Sequence, residues 1–181
     1  MVDSDPRLAP RGARGVLPLP PTTMTLTSIR PLTAADEALL WKIFYHAIHP
    51  SPGDKDISAI PELARYVAGW MQPPTDMGFA AECAGTLVGA AWLRCWNNDE
   101  RGYGFVDEAV PELSMAMLPG HRGQGIGTKL LQRVLEAASQ RFPAVSLSVT
   151  TSNPARRLYG RFGFADVGEP EGDSIVMLRR F

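Results

Sequence analysis

A strand-like run that passes straight into a glycine loop, which then opens an amphipathic helix, constrains this chain more than any other stretch. The run is Glu112 to Leu118, after Pro111, and the loop is Arg122-Gly123-Gln124-Gly125-Ile126-Gly127. Behind it Ile126, Leu130, Leu131, Val134, Leu135 and Ala138 recur at helical spacing as one apolar stripe, and Lys129, Gln132, Arg133, Glu136 and Gln140 fill the other face. Such a helix has to bury its stripe, and the strand before it supplies the sheet to bury it on. The loop is also a ready anion site. Unpaired N–H groups of the first helical turn converge there, the helix dipole adds partial positive charge, and glycines admit a phosphate with no Cβ in the way.

The flanking segments complete one layered domain. Met24 to Arg30 reads as a strand, and Thr33 can cap a helix from Ala34 that carries Asp36 in its first turn and Leu39, Leu40, Ile43, Phe44 and Ala47 at helical spacing. His49 to Asp56, with Pro50, Pro52 and Gly53, has to be a loop. A second helix is predicted from Pro61 through Leu63, Tyr66, Val67 and Trp70, stopped by Pro73 and Pro74. Gly78–Cys83 and Leu87–Trp96 form a hairpin about Ala84-Gly85-Thr86, and Asn97–Gly104 is a polar loop. Pro143 stops the helix behind the glycine loop, and Ala144–Thr150 alternates as a strand. Asn153-Pro154 opens a last helix with Ala155, Leu158, Tyr159 and Phe162, closed by a left-handed Gly163. Strands near Phe164–Val167 and Ile175–Arg179 follow. The sum is an α/β (α+β) fold around a mixed sheet, without internal repeats. Residues 1–22, rich in Pro, Arg and Gly and lacking an apolar period, are expected to be a disordered leader, so that the domain spans 23–181.

Charge and cysteine usage narrow the function. A formal net charge of -1 and the absence of any basic run argue against a nucleic-acid partner. No apolar stretch approaches the ~18 residues needed to span a bilayer, and the leader lacks the apolar core of a signal peptide, so a cytoplasmic location is expected. Cys83 and Cys95 would not face each other across their hairpin, which makes them free thiols of a reducing compartment, packed as small hydrophobes. His46 and His49, three apart with no third ligand in view, are a weak metal pair, and no metal is expected.

Three nucleotide-type ligands use loops of this kind. The phosphate loop of ATPases and GTPases ends Gly-Lys-Ser/Thr, but here Gly127 is followed by Thr128 and then Lys129. The dinucleotide fingerprint needs a glycine in its sixth place, where Thr128 stands. The third, the pyrophosphate of an acyl-CoA, depends on what flanks the loop.

Glu112 to Gly127, ELSMAMLPGHRGQGIG, resembles the GNAT superfamily of N-acetyltransferases, whose acyl-CoA motif is Arg or Gln, two residues, Gly, one residue, then Gly or Ala. Arg122, Gly125 and Gly127 fit it, and NPARRLYGRFGF places Asn153, Ala155, Tyr159, Gly163 and Phe164 as the family's distal half has them. The resemblance runs from about residue 24 to the C-terminus and is strongest from Glu112 to Phe164. It implies a mostly antiparallel central sheet flanked by helices and splayed between the fourth and fifth strands, with acetyl-CoA as cosubstrate. Backbone amides of Arg122, Gly123, Gln124, Gly125, Ile126, Gly127 and Thr128 would bind the pyrophosphate. Met117 and Leu118 would lie along the pantetheine arm, with an N–H near Met117 for the oxyanion, and Asn153 beside it, although capping its own helix accounts for Asn153 equally well.

Tyr159 would protonate the leaving thiolate, the alternative being an aromatic packed on the sheet. Glu112 would act as base through water, the alternative being a solvated carboxylate at a strand edge, with Asp107 and Glu108 as rivals. His121 reads as a surface residue or phosphate neighbour, Tyr45 and Tyr66 as possible hydroxyls of the acceptor site, and one of Trp92 and Trp96 as a pocket wall. The activity implied is transfer of an acetyl group to a primary amine, of a small molecule or a peptide, by direct attack in a ternary complex. No metal, nucleic acid or membrane enters it, and a homodimer is compatible with it. The alternatives are a non-catalytic acyl-CoA-binding or sensing module and an acyltransferase with a longer acyl donor or a hydroxyl acceptor. The acceptor region falls in about residues 45 to 110.

Overall fold

The computed structural model describes residues 27–48 and 56–181. The expected leader, His49 and nearly all of the Pro-rich loop after it therefore lie outside the described residues. Seven strands, β1 (Thr27–Pro31), β2 (Met77–Cys83), β3 (Thr86–Arg94), β4 (Glu112–Met117), β5 (Ala144–Thr150), β6 (Ala165–Glu171) and β7 (Ser174–Arg180), form one sheet in the order β1-β2-β3-β4-β5-β7-β6. All neighbours are antiparallel except β4 and β5, which run parallel. This is the mixed, mostly antiparallel sheet expected. Its β4–β5 pairing consists of one position, Glu112 opposite Ser146, so the two strands part beyond their first residues.

Four α-helices cover the sheet: α1 (Glu37–Tyr45), α2 (Pro61–Ala64), α3 (Ile126–Ala138) and α4 (Arg156–Arg161). The stripe of α3 is buried in full, with Leu130, Leu131, Val134 and Ala138 fully enclosed, against Val145, Leu147 and Val149 of β5 and Leu93 and Leu113 of β3 and β4. At about 1.5–3 kcal/mol for each large apolar side chain removed from water, this stripe alone fixes α3 to one face. On the other face Leu40, Ile43 and Phe44 of α1 pack with Tyr66, Val67 and Trp70 over Ala80, Ala90, Trp92 and Ala116. Two cores therefore meet through the sheet, and the parting of β4 from β5 opens between them.

The structure departs from expectation in three places, each with a physical cause. The second helix ends at Ala64, not near Trp70, and the chain continues in tight turns such as Tyr66 N–H to Leu63 O. The carbonyls of Arg65, Ala68 and Gly69 are turned outward to the guanidinium of Arg94, itself paired with Asp76 at 2.6 Å in the core. A buried charged donor outcompetes further helical hydrogen bonds there. β3 stops at Arg94, short of Trp96, because its partners end there: Met77, the first residue of β2, lies opposite Leu93, and Glu112, the first residue of β4 after Pro111, lies opposite Arg94. The last helix begins at Arg156, because the side chain of Asn153 accepts from the N–H of Ala155 and caps a turn before it. Cys83 ends β2 opposite Thr86 and Cys95 lies beyond β3, so the two thiols are free and apart, with burial pushing that of Cys95 up. Among the described residues no helix is long and apolar enough to cross a membrane.

Candidate active site

The glycine loop is held open by its backbone. Gly123 and Gly125 have φ of 73° and 78°, the left-handed region that a side chain resists, and Gly125 caps α3 without any side-chain hydrogen bond to its first turn. The N–H groups from Gly125 to Thr128 are thus left for an external anion. A Cβ added at Gly123 or Gly125 would meet nothing within 4 Å, and one at Gly127 only the terminal methyl of Met115, at 3.9 Å. None of the described residues fills the space these glycines leave. Gln124 braces the turn through Gly120 O at 3.0 Å, and the Arg122 guanidinium bonds Met117 O at 3.2 Å and His46 O at 2.9 Å. The Arg122 side chain therefore ties the end of β4 to the end of α1, and its own backbone N–H is spent on Pro119 O at 3.3 Å, so that amide, expected to bind the pyrophosphate, is not free for it.

The hydrogen-bond pattern of β4 sets which amides face the gap. Leu118 N–H donates to Val88 O at 2.9 Å, across the pair Met117–Gly89. By the alternation of an antiparallel ladder, the N–H groups of Met115 and Met117 then point away from β3, toward β5. Since β5 has left the ladder, these two donors look into the opening. The Leu118 amide is engaged elsewhere, and its side chain packs toward α1.

Two cavities adjoin at this opening. One, of about 580 Å³, is lined by Met115, Met117, His121, Arg122, Gly123, Gly127, Asn153 and Tyr159. The other, of about 670 Å³, is lined by Tyr66, Tyr103, Glu112, Ser114, Ser148, Asn153, Tyr159 and the β6–β7 turn. Tyr159 and Asn153 belong to both. The Tyr159 ring stands edge-on to Phe164 at 5.9 Å, and its hydroxyl makes no hydrogen bond among the described residues. Burial pushes that hydroxyl up to about 12, so it keeps its proton at neutral pH.

Glu112 is not the solvated edge carboxylate of the alternative reading. It is 4% exposed, on an interior strand, and receives three donors: Tyr66 Oη at 2.9 Å and Gly104 N at 2.9 Å on Oε1, and Trp96 Nε1 at 2.7 Å on Oε2. The hydroxyl oxygen of Tyr66 in turn accepts from Tyr103 N at 2.7 Å. The loop crosses so closely that a Cβ at Gly102 would strike Glu112 Oε2 and one at Gly104 its carboxyl carbon. Burial pushes the carboxyl up to about 7, against the pull of all three donors. Its rivals fall away from the cavities: Glu108 holds the Asn98 amides and Asp107 the N–H of Ala109, both exposed.

Of the remaining expectations, Tyr66 and Trp96 reach the site through Glu112, whereas Trp92 donates to Tyr66 O from within the core and Tyr45 borders a separate apolar hollow beside α1. His46 and His121 line the cavity of about 580 Å³. The hub of Tyr66, Trp96 and Gly104 around Glu112 was not foreseen. Two glycines flanking Tyr103, in a stretch read as a polar loop, were its sequence signal.

Comparisons with known proteins agree with this geometry. The family model described as the acetyltransferase (GNAT) family matches residues 39–164. No curated protein matches the sequence. Among solved structures, yncA of Salmonella typhimurium, solved with its cofactor acetyl-CoA, is 25% identical, with 86% of this chain and 94% of that one covered and a TM-score of 0.63. PaiA N-acetyltransferase of Thermoplasma acidophilum, solved with coenzyme A, is 17% identical over 86% of this chain and 99% of that one, with a TM-score of 0.61. The ribosomal-protein-S18-alanine N-acetyltransferase of Escherichia coli is 20% identical over 86% and 94%, with a TM-score of 0.60. With the splayed sheet, the open glycine loop and a family match over more than half its length, this chain belongs to the GNAT family of acetyltransferases.

Proposed function

We propose that the protein transfers the acetyl group of acetyl-CoA to a primary amine by direct attack in a ternary complex. The observation that carries the reading is Tyr159, which lines both cavities and whose hydroxyl makes no hydrogen bond among the described residues. Acetyl-CoA fits the first cavity by chemistry. Its pyrophosphate matches the uncapped first turn of α3, and the glycines there leave a space that any Cβ would narrow. When bound, acetyl-CoA supplies an activated acyl carbon and a thiol leaving group.

The chain's own groups then divide the work. Amides from Gly123 to Thr128 hold the anionic end, and Asn153 borders the arm. The N–H groups of Met115 and Met117 face the gap, where they serve charge developing on an acyl oxygen. Tyr159, protonated at neutral pH, holds a proton for the departing thiolate. Glu112, poised at about 7, takes the proton that the attacking amine must lose, through water, since Tyr66, Gly104 and Trp96 enclose the carboxylate itself. Positioning an amine and an activated acyl group in one opening requires no covalent enzyme intermediate.

The test is calorimetric titration of the full chain with acetyl-CoA, NAD and ATP, on wild type and Gly125→Glu. Binding of acetyl-CoA alone, lost when a carboxylate enters the phosphate position, is the expected result and opens the way to thiol-release assays with amines. A folded wild type that binds NAD or ATP instead, or nothing, refutes the reading.

A further inference from the structure

The two adjoining cavities carry opposite charge. The cofactor-side cavity is lined by His46, His121 and Arg122 and, among the described residues, by no carboxylate. The acceptor-side cavity is lined by Glu112, Glu169, Glu171 and Asp173, and among the described residues no Lys, Arg or His lines it. A net charge of -1 over the whole chain does not produce such a division by composition alone. It is made by the β6–β7 hairpin. Gly168, Glu169 and Pro170 stand opposite Ile175 alone, a bulge that breaks the ladder, and the turn Glu171-Gly172-Asp173-Ser174 closes beside it. Bulges re-aim side chains next to sites. Glu169, Glu171 and Asp173 are exposed, and none forms an ion pair among the described residues. Tyr66 and Tyr103 line the same cavity, and their rings stack at 6.3 Å and 11°, an aromatic surface that favours cations.

From this polarity, and resting on the acetyl-transfer reading above, we propose that the acceptor is a small amine bearing at least one further positive charge. One amino group enters past Tyr66 toward Tyr159, and the second cation is received by Glu169, Glu171 and Asp173. The amine nitrogen bonds the acyl carbon, the carbon–sulfur bond breaks, one amine proton passes to Glu112 and the thiolate takes one from Tyr159. The carboxylates of the hairpin take no part in the bonds exchanged. They set which amine is bound.

A chain-matched series tests this: 1,5-diaminopentane, pentylamine and 5-aminopentanoate present the same amine with a cationic, neutral or anionic far end. Thiol release from acetyl-CoA should give a kcat/KM for the diamine roughly tenfold above pentylamine, with the amino acid lowest. The diamine advantage should collapse in the triple variant Glu169→Gln/Glu171→Gln/Asp173→Asn, whose fold is monitored by acetyl-CoA calorimetry. It should also collapse in 1 M salt, where the Debye length is about 3 Å. Equal rates, an inverted order, or a diamine preference that survives the triple variant overturns the proposal while leaving amine acetylation intact. Acetyl-CoA binding with thiol release from none of the three amines refutes the acetyl-transfer reading itself, and this proposal with it.

Discussion

Glu112→Gln separates the burial of this carboxylate from its hydrogen bonds. The side chain is 4% exposed, and burial raises its pKa from 4.5 to about 7. The folded protein then holds the proton up to about 7, whereas the unfolded chain releases it near 4.5. Folding stability from this group is therefore fully present below 4.5 and is lost as the pH rises through 7, by about 3 kcal/mol in all. Glutamine has no such dependence. Its oxygen can accept from Tyr66 and Gly104, but its NH₂ then faces the indole N–H of Trp96, donor to donor, at a cost of about 1–3 kcal/mol. Urea unfolding of both proteins in steps from pH 5 to 8.5 should show wild type the more stable at pH 5, with the gap closing or inverting by pH 8.5. The rising limb of the pH–rate profile near 7 should disappear in the variant. A stability difference constant within about 0.5 kcal/mol across the range would mean that three donors outweigh burial and the carboxylate is charged throughout.

Three further substitutions address other parts of the structure. Tyr159→Phe removes a hydroxyl with no hydrogen bond among the described residues, so urea stability should move by no more than about 0.5 kcal/mol while kcat for thiol release falls about 100-fold at nearly unchanged KM for acetyl-CoA. Gly127→Ala meets only ordinary contact with Met115, at 3.9 Å, and should stabilise the fold by about 0.4–1 kcal/mol. The same methyl enters the proposed pyrophosphate space and should weaken acetyl-CoA binding by calorimetry at least about tenfold; unchanged affinity would place the phosphates elsewhere. Arg94→Leu leaves Asp76 buried without its partner and frees the carbonyls of Arg65, Ala68 and Gly69, for a loss of about 3–5 kcal/mol in urea unfolding.

What was legible in the sequence is what neighbours in the chain decide. The stripe of α3, the uncapped glycine loop and the strand feeding it are local, and a local pattern of apolar spacing and glycine placement fixes each of them. The surroundings of Glu112 are not local. Tyr66 lies 46 residues away in sequence, Trp96 16 and Gly104 eight, and Tyr66 comes from the turns after α2 whose carbonyls Arg94 binds, while Trp96 and Gly104 come from the segment between β3 and β4. A glutamate after a proline at the start of a strand reads as a solvated edge until the neighbours of that strand are known, and β4 is interior. The helix predicted through Trp70 failed for the same cause, since apolar spacing is blind to a guanidinium 25 to 29 residues on that claims the carbonyls. One signal was nonetheless local. A Cβ at Gly102 would collide with the Glu112 carboxylate and the Trp96 ring, and one at Gly104 with the backbone of Leu147 and Ser148 as well as the same carboxylate. Two glycines about a tyrosine, in a loop that needs no positive φ at either, thus mark a backbone pressed against something that cannot move. By that logic a glycine without a conformational reason points to close approach: to the Glu112 carboxylate at Gly102, to the β5 backbone and that carboxylate at Gly104, and at Gly127, where the described residues offer only one distant methyl, to the proposed pyrophosphate.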